Sequence, residues 1–515
     1  MRLGLGIDIP RLALSAGGWS PLSLFQSSEA GLVYDAMDLS GFYADRDGAT
    51  PAVVNSVCGL QIDKHLGTVG SNIIANGTFD SGSGWTTGTV GTTSVTISGG
   101  SAHYVTAGAD YVGLTQVGVQ TVGRWYLIEF DVLAGSSGNL KLISDGVSGG
   151  EIAFACTPGA KRFIAPASVT GFGFSRIAGQ AADAYIDNVV VREMAGAHRY
   201  QLATAGRPIL RGTPTGSNLV SNGGFDSGAN WTPGVGWAIG SGVATATASL
   251  AALTSSLAAT SGRVYLVRYK MTRSVGTLTP SFGGVTLTAR SAGGTYEEFV
   301  TASSTAALVF TGAAFSGTVD DASVIDYSAD VVTAPYALQM GAVAGVDRWM
   351  QTAAVDFSAT DAMTACWGVR KHSDASQGCV AELTASVAAN NGSWLLAAPD
   401  GATATFALDS KGTVQVDAVA SGNTAPMAAV LAGLSDISGD SCSLRVNGAV
   451  GDTDAGDQGT GNYSNAALYF GKRAGTSLPF LGLDYGGVIR GALTTAELTS
   501  LERWVSARTP GTTIP

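Results

Sequence analysis

The chain has 515 residues, of which only 13% are charged, 45% are hydrophobic and 71 are glycine; its net charge is −11. Charged residues run at about half their usual share and glycine at about twice its own, with enough apolar residues for several cores, which excludes a disordered chain and points to short strands joined by glycine-rich turns. The acidity, with no cluster of Lys and Arg, excludes a nucleic-acid-binding face, because phosphate contacts need concentrated positive charge.

In chain order, residues 1–18 come first. Asp8 and Pro10 interrupt the apolar residues there, so the segment does not read as a secretory leader, and no apolar run approaches the ~20 residues of a membrane span. At residue 70 begins a sentence that the chain says twice. Gly70-Ser-Asn-Ile-Ile-Ala-Asn-Gly-Thr-Phe-Asp-Ser-Gly-Ser-Gly-Trp85 returns without a gap as Gly216-Ser-Asn-Leu-Val-Ser-Asn-Gly-Gly-Phe-Asp-Ser-Gly-Ala-Asn-Trp231, identical at ten of sixteen positions. A repeat this far apart suits a duplicated domain rather than a solenoid unit.

Two further anchors recur in each copy. Gly123-Arg124-Trp125-Tyr126-Leu127-Ile128-Glu129-Phe130-Asp131-Val132 matches Gly262-Arg263-Val264-Tyr265-Leu266-Val267-Arg268-Tyr269-Lys270-Met271. Tyr126, Ile128, Phe130 and Val132 alternate with other residues as in a half-buried strand. Tyr185–Val191 and Thr318–Val324 close the copies. The pattern predicts two modules, 70–194 and 216–328.

Residues beyond the second copy predict more strands. Thr405–Leu408 and Val414–Val419 flank Asp409-Ser410-Lys411-Gly412, which reads as a hairpin turn. Ser443–Val446 runs into Asn447-Gly448, a dipeptide that favours positive φ. One helix follows Thr494, which with Glu497 makes a capping box; Leu498, Leu501, Trp504 and Val505 form its apolar stripe. Cys58, Cys156, Cys366, Cys379 and Cys442 are odd in number and form no Cys-x-x-Cys pair, so they predict reduced, buried thiols in a protein folded in a bacterial cytoplasm.

The three repeated anchors resemble carbohydrate-binding modules of the family 4/9 type, which implies two β-sandwich jelly rolls. With those modules excised, Gly31-Leu-Val-Tyr-Asp-Ala-Met-Asp-Leu-Ser40, Asp45, Gly48, Thr50-Pro51 and Gly59–Lys64 run on to Gly196–Arg211 and then to Pro335–Met340. This joined sequence resembles the laminin-G-like (concanavalin A-like lectin) domain of bacteriophage tail and virion proteins. The expected architecture is therefore all-β. A concanavalin A-like jelly-roll sandwich (19–69, 195–215 and 329–515) is interrupted by jelly rolls 70–194 and 216–328 and closed by one short helix. Insertions at loops whose ends are close cost little. Residues 1–18 are expected to attach to other virion or tail proteins.

Catalysis of glycoside cleavage would need two carboxylates flanking one cleft. The nearest candidates, Asp452, Asp454 and Asp457, sit in a Gly-rich stretch and read as turn formers, and His65, His103, His198 and His372 lack a triad context. The chain is therefore not expected to be an enzyme. The family 4/9 resemblance implies a structural calcium held by Asp80 with Asp187 and by Asp226 with Asp320; no other cofactor is expected. Sugars stack on aromatic faces. The candidates are Tyr104 and Tyr111, which flank a Gly-Ala-Asp loop, with Trp125, Trp85 and Trp237; Trp85 and Trp231 also fit as core of the repeated motif. The second module, short of such aromatics, is expected to be a spacer.

The resemblance implies a virion-located tail fibre, spike or tip component, with a homotrimer as the family-level expectation. Its partner would be a host cell-surface polysaccharide, with neither nucleic acid nor membrane insertion. The alternatives are a purely structural decoration or adaptor protein and, further off, a polysaccharide-degrading enzyme.

Overall fold

Three stretches of chain far apart in sequence build one pair of facing sheets. The computed structural model describes residues 19–25, 29–65, 69–143, 152–343 and 345–515. One nine-stranded sheet joins Gly31–Val33, Ile209–Pro214 and Val332–Val343 to the strands Ala362–Lys371, Met427–Asp436 and Gly482–Arg490. The other joins Phe42–Tyr43, Leu60–Gln61 and Arg199–Tyr200 to Met350–Asp356, Asn465–Phe470 and four strands between Cys379 and Ala420. Tyr34, Phe42, Leu210, Leu338, Trp367, Trp394, Phe406 and Phe470 fill one core with residues from all three stretches. At its centre Arg199 is fully buried, 2.5 Å from Asp484 and capped by the Tyr34, Trp367 and Phe470 rings. A charge so placed needs this partner, because an unpaired buried guanidinium would be strongly destabilising.

Each repeated module leaves and re-enters this sandwich at the end of an antiparallel strand pair. Leu60–Gln61 pairs with Arg199–Tyr200, and Ile209–Pro214 with Val332–Val343. The C-terminal helix Thr495–Ser506 begins with both capping-box bonds of Thr494 and Glu497 in place. It lays Leu498, Leu501, Trp504 and Val505 on Val33, Cys366, Val430 and Val488, the outer face of the first sheet.

The doubled sentence folds into one hydrogen-bond pattern made twice. Asn72 Oδ1 accepts from the Ile74 and Val191 amides, and Asn218 Oδ1 from those of Val220 and Val324. Asn76 and Asn222 take positive φ, and their carbonyls accept from the Trp85 and Trp231 indoles, both at 3.1 Å. Gly77 and Gly223 are required by close approach: a Cβ would lie 2.0 Å from the Val189 carbonyl oxygen and 1.9 Å from that of Ala322. The repeated Trp and Phe are core, each pair packed at about 5 Å in modules whose interiors are otherwise separate.

Two expected turns lie elsewhere. The hairpin strands are Phe406–Lys411 and Gln415–Ala420, so Asp409 sits mid-strand rather than in the turn. Its side chain is buried; burial, then the charges of Asp400 and Asp417, push its carboxyl up to about 7. Asp452 and Asp454 belong to the edge strand Ala449–Asp454, entered through the positive-φ pair Asn447 and Gly448; Asp457 lies in the following loop, accepting from the Gly459 amide. All five cysteines are buried free thiols. Among the described residues no helix is long and apolar enough to cross a membrane.

Both modules dock on the sandwich by the same face. In the first, Trp125, Leu127, Ile164 and Met194 close against Tyr43, Leu60 and Ile62. The matching positions of the second are Val264, Leu266, Phe299 and Tyr327, by repeat alignment and strand register. Val264, Leu266 and Tyr327 cluster there, with Phe299 and Val332 packed against them. Module-internal ion pairs repeat too, Arg124 with Glu193 and Arg263 with Asp326, both at 2.6 Å.

Candidate functional site

Of the five aromatic candidates, the structure leaves one with an open face. Trp125 is 2% exposed, wedged between His198 and Tyr200 at the first module's docking face. Alternation alone would have put it outside; the sandwich covers it. Tyr104 is fully buried, its hydroxyl donating to the Val112 carbonyl and accepting from the Arg176 amide. Trp85 and Trp237 are buried with their indole N–H groups on the carbonyls of Asn76 and Ala251. None of these four can offer a ring to a sugar. Tyr111 is 59% exposed but stands apart from any described cavity.

The implied calcium positions differ between the copies. In the first, Asp187 faces Asp131 across the sheet. Burial, then the charges of Asp131 and Asp80, raise the Asp187 carboxyl above the usual range, against one amide bond from Asn188. Among the described residues no basic side chain pairs with these three carboxylates, and no three acid, His or Cys groups close into a metal-ligand set. In the second copy, Lys270 stands across from Asp320 where the first has Asp131. An ammonium at that place opposes a bound cation, so Asp226 and Asp320 do not fit the implied ion.

A cavity opens at the edge of the module expected to be a spacer. It is a cleft of about 580 Å³ between the strand Gly294–Thr301 of the second module and the sandwich, where Gln339, Met340, His372–Ala375, Thr424, Ala425, Leu481 and Gly482 form the opposite wall. Docking builds it. Glu297 is buried and held by Arg370 through two bonds of 2.8 and 2.6 Å, with His372 Nδ1 2.5 Å away. Burial pushes the Glu297 carboxyl up, but His372 and Arg370 outweigh it and hold it at about 2. Arg211 lies over the Phe299 ring beside this knot.

The half-buried Tyr296 ring lines the cleft with the Arg290 guanidinium 4.5 Å from its centroid, and its hydroxyl is tied to the Ala292 carbonyl. Arg290 also reaches Glu298 at 3.2 Å. Two buried nitrogens in the lining, His372 Nε2 and Arg290 Nε, have no hydrogen-bond partner. Buried polar atoms are nearly always paired, so these two are exceptions, and Arg290 lies beside the Tyr269 hydroxyl, which is buried and unpaired as well. The lining carboxylates are all engaged: Glu297 as described, Glu298 by Arg290, and Asp374 by Lys371 at 2.7 Å. Glu297 is strongly acidic rather than poised as a proton donor. No single stretch of sequence signals this cleft, because its walls come from segments brought together only by docking.

No family profile and no curated relative matches the chain. Among solved structures, it is similar to the CBM40 of the Ruminococcus gnavus IT-sialidase, at TM-score 0.23 and 16% identity over 30% of this chain and 85% of that one. It is also similar to the native heptameric SAP-like pentraxin of Limulus polyphemus (TM-score 0.23, 10% identity, 30% and 73% covered). A third is the CBM22-1-CBM22-2 tandem domain of Paenibacillus barcinonensis Xyn10C (TM-score 0.20, 11% identity, 50% and 98% covered). At those scores the likeness says nothing about what this chain binds; the all-β architecture rests on its own sheets.

Proposed function

We propose that this protein binds carbohydrate without altering it, and that the cleft between the second module and the sandwich is its principal site. The observation that carries this reading is the pairing of a half-buried tyrosine ring with two unpartnered buried nitrogens in one cavity of about 580 Å³. A ring face for sugar C–H groups and a few fixed polar atoms for hydroxyls are what saccharide recognition needs, and the volume falls in the range of small-molecule sites. The absence of catalysis is part of the proposal: glycoside cleavage calls for a proton-donating carboxyl with a raised pKa, and each carboxylate lining this cleft is neutralised by a cation. A glycan array probed with the full chain and with Tyr296→Ala tests it. The expected result is binding by the parent and weaker binding to at least one glycan in the variant; an array blank for the parent would refute it.

The place of action proposed is a bacteriophage virion, with several copies, as in a homotrimer, gaining host-surface adhesion by avidity. What supports it is the laminin-G-like resemblance of the three sandwich stretches. The attachment role given to 1–18 lies outside the described residues. Immunogold labelling of purified particles is expected to mark a tail; unlabelled particles would remove the virion reading and leave the binding reading standing.

A further inference from the structure

The second sheet of the sandwich carries a cross-strand row on its outer face. Register pairs Tyr43 with Leu60, Leu60 with Tyr200, Tyr200 with Gln351, Gln351 with Tyr469, and Tyr469 with Glu382. The row continues through Leu395 and Asp409 to Asp417. Their chain neighbours Phe42, Met350, Phe470, Ala381, Leu396 and Leu408 point into the core, so the row faces away from it. The row is covered on both sides of its middle, and only its last residue, Asp417, is exposed again. The first module buries Tyr43 and Leu60, and Glu382, Leu395 and Asp409 are buried on the other side.

Between those covered stretches the face is open from Gln351 to Tyr469, while Tyr200 meets Trp125 of the first module edge-on and keeps part of its ring exposed. Tyr200, Gln351 and Tyr469 are half-buried, and Trp349, also half-buried, stands 6.3 Å from the Tyr469 ring. Gln351 Nε2 donates to the Tyr200 hydroxyl at 3.3 Å. The Tyr469 hydroxyl, the Gln351 carbonyl oxygen and the Trp349 indole N–H have no side-chain or backbone partner among the described residues. Neighbouring charges are spent: Arg473 binds Glu382 at 3.0 and 2.8 Å, and Lys472 binds Asp347 at 2.7 Å.

The geometry points to a second carbohydrate site on this face, taking one neutral polysaccharide chain laid across the strands over Tyr200, Gln351, Tyr469 and Trp349. Aromatic faces spaced along a sheet match successive pyranose rings, and the amide and hydroxyl between them meet their equatorial hydroxyls. Absence of spare charge selects a neutral chain over an acidic one. The site is distinct from the junction cleft, although the ligand class rests on the reading given above.

The experiment titrates the full chain with maltose, cellobiose, laminaribiose and xylobiose and with their hexasaccharides, following tryptophan fluorescence and calorimetric heat. Parent, Tyr296→Ala, Tyr469→Ala and Gln351→Ala are compared, each first checked for an unchanged melting profile. The expected result is a hexasaccharide that shifts the fluorescence and loses about tenfold or more in affinity for this face in Tyr469→Ala, with a smaller loss in Gln351→Ala, whereas Tyr296→Ala removes only the calorimetric heat of the junction cleft and keeps the fluorescence shift. Hexasaccharide binding that falls only in Tyr296→Ala would overturn the second site while the cleft reading stands. Hexasaccharide binding that ignores all three substitutions would overturn both assignments, and a parent that binds none of the eight sugars would overturn this site together with its ligand class. If Tyr469→Ala melts early, Gln351→Ala carries the comparison alone.

Discussion

The two modules are copies that meet the same sandwich through the same face, yet one contact is sealed and the other leaves a cleft. In the first, a large indole, Trp125, fills the junction with Ile164 and Met194. In the second, Val264 stands at the indole's place and Phe299 at that of Ile164, and the polar contact changes as well. Arg162 of the first reaches the Gly48 carbonyl at 2.8 Å, while its counterpart Glu297 is buried on Arg370 and His372. The two copies are therefore held in the same way, and a few side chains at the seam decide whether it closes or leaves a cleft.

The largest effect expected on that contrast comes from the sealed side. Trp125→Ala should cost about 3–5 kcal/mol by leaving a cavity, whereas Val264→Ala should cost about 1–3 kcal/mol; calorimetric melting of each variant measures both. Equal losses would mean that the seams are alike. Next, Arg370→Leu should destabilise by about 3 kcal/mol, since it strands Glu297 in a buried place with one partner fewer. Chemical denaturation reads that cost, and a neutral outcome would remove the ionic account of the second seam.

Acid should separate the seams. His198, packed against Trp125, is buried and neutral, its pKa pulled down by burial to about 4 from 6.5. Unfolded chains bind that proton first, so the first seam loses stability as pH falls from about 6.5 through 4. Glu297 is ionised in the fold with its pKa near 2 against 4.5, so the second seam keeps its contribution above 4.5 and loses it between about 4.5 and 2. Limited proteolysis across a pH series should cut at the first module's borders in milder acid than at the second's; the reverse order would contradict both assignments.

The smallest effect expected concerns the cation. Calcium at a hundredfold excess over its Kd should raise the stability of the first module by about 2–3 kcal/mol, and Asp187→Asn should abolish the gain. The second module, with Lys270 opposite Asp320, should not respond. Calcium-dependent melting of Asp187→Asn and Lys270→Ala checks this, and an unchanged response in either direction would sink the distinction.

How much of this was readable beforehand depends on whether the deciding contact is local. Asn76, Gly77 and Trp85 and their second copies build their network within their own module, so the repeated words carried the fold. Thr494 and Glu497 likewise announced a helix whose cap is complete. Trp125 misled because strand alternation says nothing of a second body laid on the outer side. Asp409 misled because a buried carboxyl, kept at a pKa of about 7, looks in sequence like a turn residue. Tyr296 and Arg290 carry no local signal, and His372 shows only that it lacks a triad context, for the same reason as the cleft itself: their meeting depends on how a module docks.

The most direct measurement is a crystal structure of the full chain soaked with the strongest array-binding glycan. The account predicts a sugar ring against Tyr296 with a hydroxyl within hydrogen-bond reach of His372 Nε2. Density confined to the exposed Tyr111 of the first module, with the junction cleft empty, would contradict it.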